Sequence, residues 1–149
     1  MKYRGFLVIL FCGLCAAATE SSSVLSCYDQ MITLRAPADV SATLCANVKS
    51  IAEVGLALRC YNQFPIASYP LSVVATACSN IKQTSDYEAV LNCKQRAENL
   101  AGMVGQAPTL CSNVKNANDA AAALNCFQQA GNLPGTAKSR ATLCAQVKN

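Results

Sequence analysis

Eight cysteines, Cys27, Cys45, Cys60, Cys78, Cys93, Cys111, Cys126 and Cys144, alternate a C-x17-C spacing with a C-x14-C spacing, without exception. The shorter intervals hold one motif three times: CANVKSIAEVGLALRC from Cys45, CSNIKQTSDYEAVLNC from Cys78 and CSNVKNANDAAAALNC from Cys111. The step from one copy to the next is constant, and the motif starts again at Cys144 as CAQVKN. A period of this length, with no alternating strand pattern of comparable extent, points to stacked helical units that each cover the apolar face their neighbour cannot bury alone. The expected fold is all-α: four disulfide-braced helical hairpins in a 33-residue repeat array, either a short α-solenoid or a compact helical bundle.

Capping residues and breakers divide each period into two helices. After the Lys of each motif, Ser50 and Glu53 have capping-box spacing. Asn116 is a good cap at the equivalent place, Gln83 a poorer one, and Ser85 with Glu88 offers a second box two residues on. Glu53, Asp86 and Asp119 fall in the first turn that follows, where the helix dipole favours an acid. The other joint is marked by Pro37, by Pro65 and Pro70, by Gly102, Gly105 and Pro108, and by Gly131, Pro134 and Gly135. These boundaries predict helices over Ser26–Arg35, Ala38–Lys49, Ile51–Phe64, Leu71–Lys82, Asp86–Leu100, Thr109–Lys115, Asp119–Asn132 and Thr136–Lys148. Val48, Ile81, Val114 and Val147, three residues after a cysteine, share its helix face. Leu58, Leu91 and Leu124 broaden the buried stripe, and abundant alanine favours both helix formation and close packing.

The N-terminus has Lys2 and Arg4, an apolar run from Phe6 to Leu14, and then Ala16, Ala17 and Ala18, the parts of a secretory signal peptide. Residues 1–18 are therefore expected to be a leader, 19–26 a flexible N-terminal arm, and 27–149 a single helical repeat domain. The apolar run is short for a membrane span and no second such run follows, so no transmembrane segment is expected. Loss of residues 1–18 takes with it Cys12 and Cys15, leaving an even eight cysteines in about 131 residues. A chain of that length can bury a substantial core, so folding need not depend on bridges. In an oxidising compartment the eight read as four disulfides rather than metal ligands or catalytic thiols.

Eight cysteines allow 105 pairings. Partners 15 or 18 residues apart on one straight helix would be roughly 22 to 27 Å apart, far beyond disulfide reach, so the bridges must cross turns. The preferred pattern joins Cys27 with Cys45, Cys60 with Cys78, Cys93 with Cys111 and Cys126 with Cys144, which centres each loop on a breaker cluster. Pairing across the capping joint instead would force Cys27 to meet Cys144 from the far end of the array. A third pattern links equivalent helices of neighbouring units, Cys27 with Cys60, Cys45 with Cys78, Cys93 with Cys126 and Cys111 with Cys144. Spacing alone leaves these alternatives open.

Several chemistries are disfavoured. The chain has no histidine, which removes a Ser-His-Asp relay and mixed Cys/His zinc sites. The eight cysteines include no C-x2-C pair for an all-cysteine site, so neither a metal nor a cofactor is expected. Losing Lys2 and Arg4 with the leader lowers the formal charge from +4 to +2, and without a basic cluster nucleic acid is not an expected partner. Asp86 and Glu88, two apart on a helix, point in different directions and do not make an acid/base pair. Gly102 and Gly105 lack the strand and the remaining motif of a phosphate loop. An enzyme is not expected.

Three features admit a functional reading beside a plainer one. The column Lys49, Lys82, Lys115 and Lys148 could form a basic stripe, but lysines ending helices would complement the helix dipole. The column Asn47, Asn80, Asn113 and Gln146 could ladder contacts between units or simply face water. Tyr28, Tyr61, Phe64, Tyr69, Tyr87 and Phe127, with Met31 and Met103, could line an apolar cavity; core or rim positions are the simpler reading, because the column of Tyr28, Tyr61 and Phe127 becomes Lys94 once. The expected function is a secreted, non-enzymatic binding protein. Its partner is either a hydrophobic small molecule or lipid, which it would carry, or an extracellular protein. The alternatives are a secreted structural or protein-interaction repeat protein, or a weakly cationic host-defence or venom-like factor.

Overall fold

The computed structural model describes residues 6–65, 67–103 and 105–148, with side chains from residue 20 onward. Eight α-helices follow one another among these residues: α1 (Phe6–Thr33), α2 (Ala38–Cys45), α3 (Ile51–Asn62), α4 (Leu71–Ser79), α5 (Thr84–Glu98), α6 (Ala107–Leu110), α7 (Ala117–Gln129) and α8 (Ala137–Cys144), with a 3₁₀ turn over Ala130–Asn132 extending α7. The odd-numbered helices pack successively on one another, and the even-numbered ones do the same. Two layers result, closed by contacts within the hairpins α1–α2, α3–α4, α5–α6 and α7–α8.

The bridges staple each hairpin shut. Cys27 pairs with Cys45, Cys60 with Cys78, Cys93 with Cys111 and Cys126 with Cys144, at Cα separations of 5.5 to 5.9 Å. This is the pattern that spans the breaker joints. Cys126 is half-buried and the other seven are buried.

The core runs between the layers. Met31, Leu44, Val54, Val74, Ile81, Val90, Met103 and Leu110 are fully enclosed. The expected Cys and Val/Ile face is found at Val48, Ile81 and Val114, which are buried, but not at Val147, which is exposed. Leu58 and Leu124 are buried and Leu91 is half-buried, which fits the broad stripe.

Helix ends depart from expectation for identifiable reasons. The even helices stop near the cysteine instead of running on to the lysine. At each place the Val or Ile N–H folds back to the cysteine carbonyl in a tighter turn, as Ile81 N to Cys78 O at 3.3 Å. The lysine N–H is then taken by the acid of the next helix: Lys49 by Glu53 at 3.1 Å, Lys82 by Asp86 at 2.9 Å and Lys115 by Asp119 at 3.2 Å. An N–H held in this way is outside the helical ladder, so the carboxylate at the start of one helix also ties down the turn that ends the last; α8 ends in the same turn, Val147 N to Cys144 O at 3.2 Å, with no acid after it. Ser50 and Asn116 cap as expected, accepting from Glu53 N and from Asn118 N and Asp119 N. The Ser85–Glu88 box is not used, because α5 already begins at Thr84.

α6 is the shortest helix. Gly102 and Gly105 take left-handed backbone at φ 78° and 76°, and Pro108 enters the first turn, so the chain reaches Ala107 before it can turn helical. At the α1–α2 joint the left-handed residue is Arg35 at φ 59°. Arg35 N donates to Ile32 O and Ala36 N to Met31 O, the Schellman closure usually made by glycine.

Residues 19–26, expected as a loose arm, are helical and form part of α1, and Ser23 is buried. Of the expected leader, residues 1–5 and the side chains of Cys12 and Cys15 lie outside the described residues. From Phe6 its backbone is continuous with α1. Among the described residues no helix is long and apolar enough to cross a membrane.

Candidate functional site

The lysine column is tied into the joints between units. Lys82 Nζ lies 3.0 Å from Glu53 Oε2 and donates to the Asn47 carbonyl one unit back. Lys115 Nζ repeats this with Asp86 Oδ2 at 3.8 Å and the Asn80 carbonyl. Lys49 pairs with Glu20 at 3.9 Å, and Glu20 stands one full period before Glu53. The register of the acids therefore extends into α1, a signal the sequence carried but which was obscured by the expected arm. Neither sequence reading of the lysines describes this arrangement. Lys49, Lys82 and Lys115 lie beyond their helices and each of these ammonium groups is matched by an acid, so these three do not form a bare basic stripe. With the ammonium groups this exposed, the pairs contribute roughly 0 to 1 kcal/mol each, and they recur in the same register at successive joints. The asparagine column takes part through the Asn47 and Asn80 carbonyls and through Asn113 Nδ2, which donates to Ala145 O at 3.2 Å.

The aromatic and methionine candidates do not converge on one cavity. Met31, Tyr61, Phe64, Tyr69, Tyr87, Met103 and Phe127 belong to the core, and Tyr28 is half-buried. Asp86 is buried in the capping network while Glu88 is exposed, so the two carboxylates separate. Among the described residues no group of three or more His, Cys, Asp or Glu side chains is placed to hold a metal ion.

The clearest break in the repeat is a cluster of Phe64, Tyr69, Lys94 and Glu98 between the second and third hairpins. Tyr69 meets Phe64 edge-on at 5.5 Å, and the Lys94 ammonium stands 5.6 Å from the Phe64 ring centre. Lys94 also pairs with Glu98 at 3.0 Å, and the Tyr69 hydroxyl donates to Glu98 Oε1. Lys94 therefore replaces an aromatic residue without leaving its charge unmatched. Burial alone would raise the Glu98 pKa, but the Tyr69 hydrogen bond and the Lys94 ammonium together hold it below the usual carboxylate range. Burial first, then the hydrogen bond and charge of Glu98, push the Tyr69 phenol well up.

The linkage has a definite sign. A carboxylate with a depressed folded-state pKa contributes stability above its unfolded value, near 4.3 for Glu, and that contribution is lost as pH falls through the lower folded value. Tyr69→Phe is therefore expected to destabilise the protein at pH 7, with the difference from the native chain shrinking at about pH 2.5. Urea titrations at the two pH values check this; an unchanged difference would show that Glu98 is not the coupled group. The Tyr69 contribution runs the other way, being complete below the ordinary tyrosine value and lost as pH rises through the raised one.

Four depressions lined by described residues are all open to solvent. One of about 560 Å³ lies between α1 and the joints that follow α2 and α4, lined by Glu20, Val24, Asn47, Lys49 and Lys82 among others. A second touches Leu34, Leu58 and Arg59, and a third Gly102, Phe127 and Arg140. The fourth, of about 260 Å³, crosses the even layer and is lined by Ser72, Val73, Thr76, Thr109, Ser112 and Lys138. Thr76 and Thr109 belong to a column with Thr43 and Thr142 that recurs once per period, two places before a cysteine. Sequence reasoning passed over that column because it looked for charge, sulfur and aromatic rings. Thr43, Thr76 and Thr142 return their hydroxyls to the carbonyl four residues back, at 2.8 to 3.0 Å, which leaves their methyl groups and second lone pairs for contacts outside the helix. No protein-family model matches the chain, and no curated protein and no solved structure matches it.

Proposed function

We propose that this chain is a secreted, non-enzymatic repeat protein that binds an extracellular macromolecule across its outer faces. The observation that carries the reading is the open, hydroxyl-lined depression spanning α4, α6 and α8. A surface shared by three successive hairpins suits an extended partner better than a small enclosed ligand. The commitment of Tyr61, Phe64, Tyr69, Tyr87 and Phe127 to the core supports the same choice over a lipid carrier, which needs such side chains around a ligand. The four bridges support export, since disulfides persist in oxidising compartments.

Two measurements test the proposal together. Native mass spectrometry after exposure to a lipid panel is expected to show no stoichiometric lipid; a retained lipid would favour the carrier reading instead. Thr76→Glu/Thr109→Glu is expected to lower binding to extracellular polymers and secreted proteins at least tenfold with the fold unchanged. Undiminished binding by that variant would remove the even layer from the interface.

A further inference from the structure

The two ends of the stack expose the residues that its interior buries. Leu44, Ala77 and Leu110 occupy one column and are each 0 % exposed, while Leu143, the next member, is 60 % exposed. The column Val48, Ile81 and Val114 is likewise enclosed, and Val147 is 39 % exposed. The first three members of each column are followed by another hairpin; none among the described residues follows the last. The first hairpin shows the complementary pattern. Leu25 is 63 % exposed, whereas Leu58 and Leu124 in its column are buried. Ala42 and Ala46 of the same end are exposed, whereas Ala75 and Ala141, and Ser79 and Ala145, are buried. No hairpin among the described residues precedes these positions.

We infer that this end face takes a second copy of the chain, head to tail, with the α7–α8 hairpin of one molecule stacked under the α1–α2 hairpin of the next. The occupant is specified by the molecule itself, because the contact between copies would repeat the contact already made three times between successive hairpins. Charge points the same way. α8 and the residues after it carry Lys138, Arg140 and Lys148 and no acidic side chain, while residues 20–49 carry Glu20, Asp29 and Asp39 against Arg35 and Lys49. Opposite charge on the two ends orients an approaching copy. Continued in the same register, Lys49 of the upper copy meets the Gln146 carbonyl of the lower one, as Lys82 meets that of Asn47 and Lys115 that of Asn80. Such a contact joins two different surfaces and does not close on itself, so it grows linear chains. It goes beyond the lateral binding proposed above and stands or falls separately from it.

Sedimentation of the purified protein, with its four bridges formed, tests this. The native chain is expected to associate with rising concentration into a ladder of sizes, and more weakly at high salt. Leu25→Glu and Leu143→Glu are each expected to be monomeric, since each spoils one end. Mixed together, they are expected to form a dimer that grows no further, because one variant keeps an intact lower end and the other an intact upper end. Val147→Glu is a second variant of the lower end should Leu143→Glu fail to fold. A native chain that stays monomeric at millimolar concentration overturns the inference, as does association that survives either substitution or a mixture that does not pair.

Discussion

Leu110→Ala is expected to cost about 2 to 5 kcal/mol of folding stability, and the same change at Leu143 less than about 0.5 kcal/mol when measured on dilute protein. The two leucines hold the same place in the 33-residue period, each directly before the cysteine that closes a hairpin, and differ in surroundings. Leu110 is completely enclosed, on a helix that packs against α4, α5 and α8, while Leu143 is mostly in water. Truncating Leu110 removes its buried methyl groups and leaves a cavity that rigid neighbours fill only in part. Parallel urea melts of the two variants decide the matter. Equal losses would mean that hairpin stacking does not enclose Leu110 as described, and would also undercut the end-to-end contact, which rests on the same comparison of burial.

Removing one bridge, as in Cys60→Ala/Cys78→Ala, is expected to lower stability by about 3 kcal/mol, mainly by freeing the unfolded chain. The four bridges make an internal control, because every one spans a sequence separation of 18. A purely chain-entropy effect is therefore the same for all four pairs. Native-state packing is not the same: Cys126 is half-buried at the last hairpin, while Cys60 and Cys78 are sealed in the core. Denaturant midpoints of the four double-alanine variants separate the two contributions. Losses within a few tenths of a kcal/mol of each other would assign the effect to the unfolded state. A distinctly smaller loss at Cys126 and Cys144 would instead show that the last hairpin opens ahead of the rest.

Much of this architecture could be read from the cysteine ladder. Two spacings, with breakers at the midpoint of the longer one, define a hairpin before any helix boundary is placed, and the pairing that structure shows is the one those breakers favour. Boundaries were harder. A lysine at the end of C-[AS]-N-[VI]-K looks like the last residue of a helix, and only tertiary contacts reveal that its N–H belongs to the acid of the next one. The start of the fold was also obscured. Thr19 to Ser26 is polar and rich in small residues, which reads locally as a loose arm, yet Glu20 stands one period before Glu53 and pairs with Lys49, and Ser23 is buried. The Tyr69–Glu98 pair could not be foreseen, since 29 residues separate the partners and neither recurs in the period. The threonine column was in plain view, but its meaning depends on the outer face of the even layer, which periodicity alone does not orient.

The placement of the bridges also decides how the molecule yields to mechanical load. Each staple lies inside a hairpin, whereas the joints from Cys45 to Cys60, Cys78 to Cys93 and Cys111 to Cys126 carry no cross-link. Tension applied at the two ends passes through the sulfur atoms and bypasses the longer loops, which cannot unravel while oxidised. Between Cys27 and Cys144 only the three shorter intervals can lengthen, each to about 50 Å when drawn straight. The molecule is in this sense a short tether of four inextensible links, and the redox state of its surroundings sets its maximum reach.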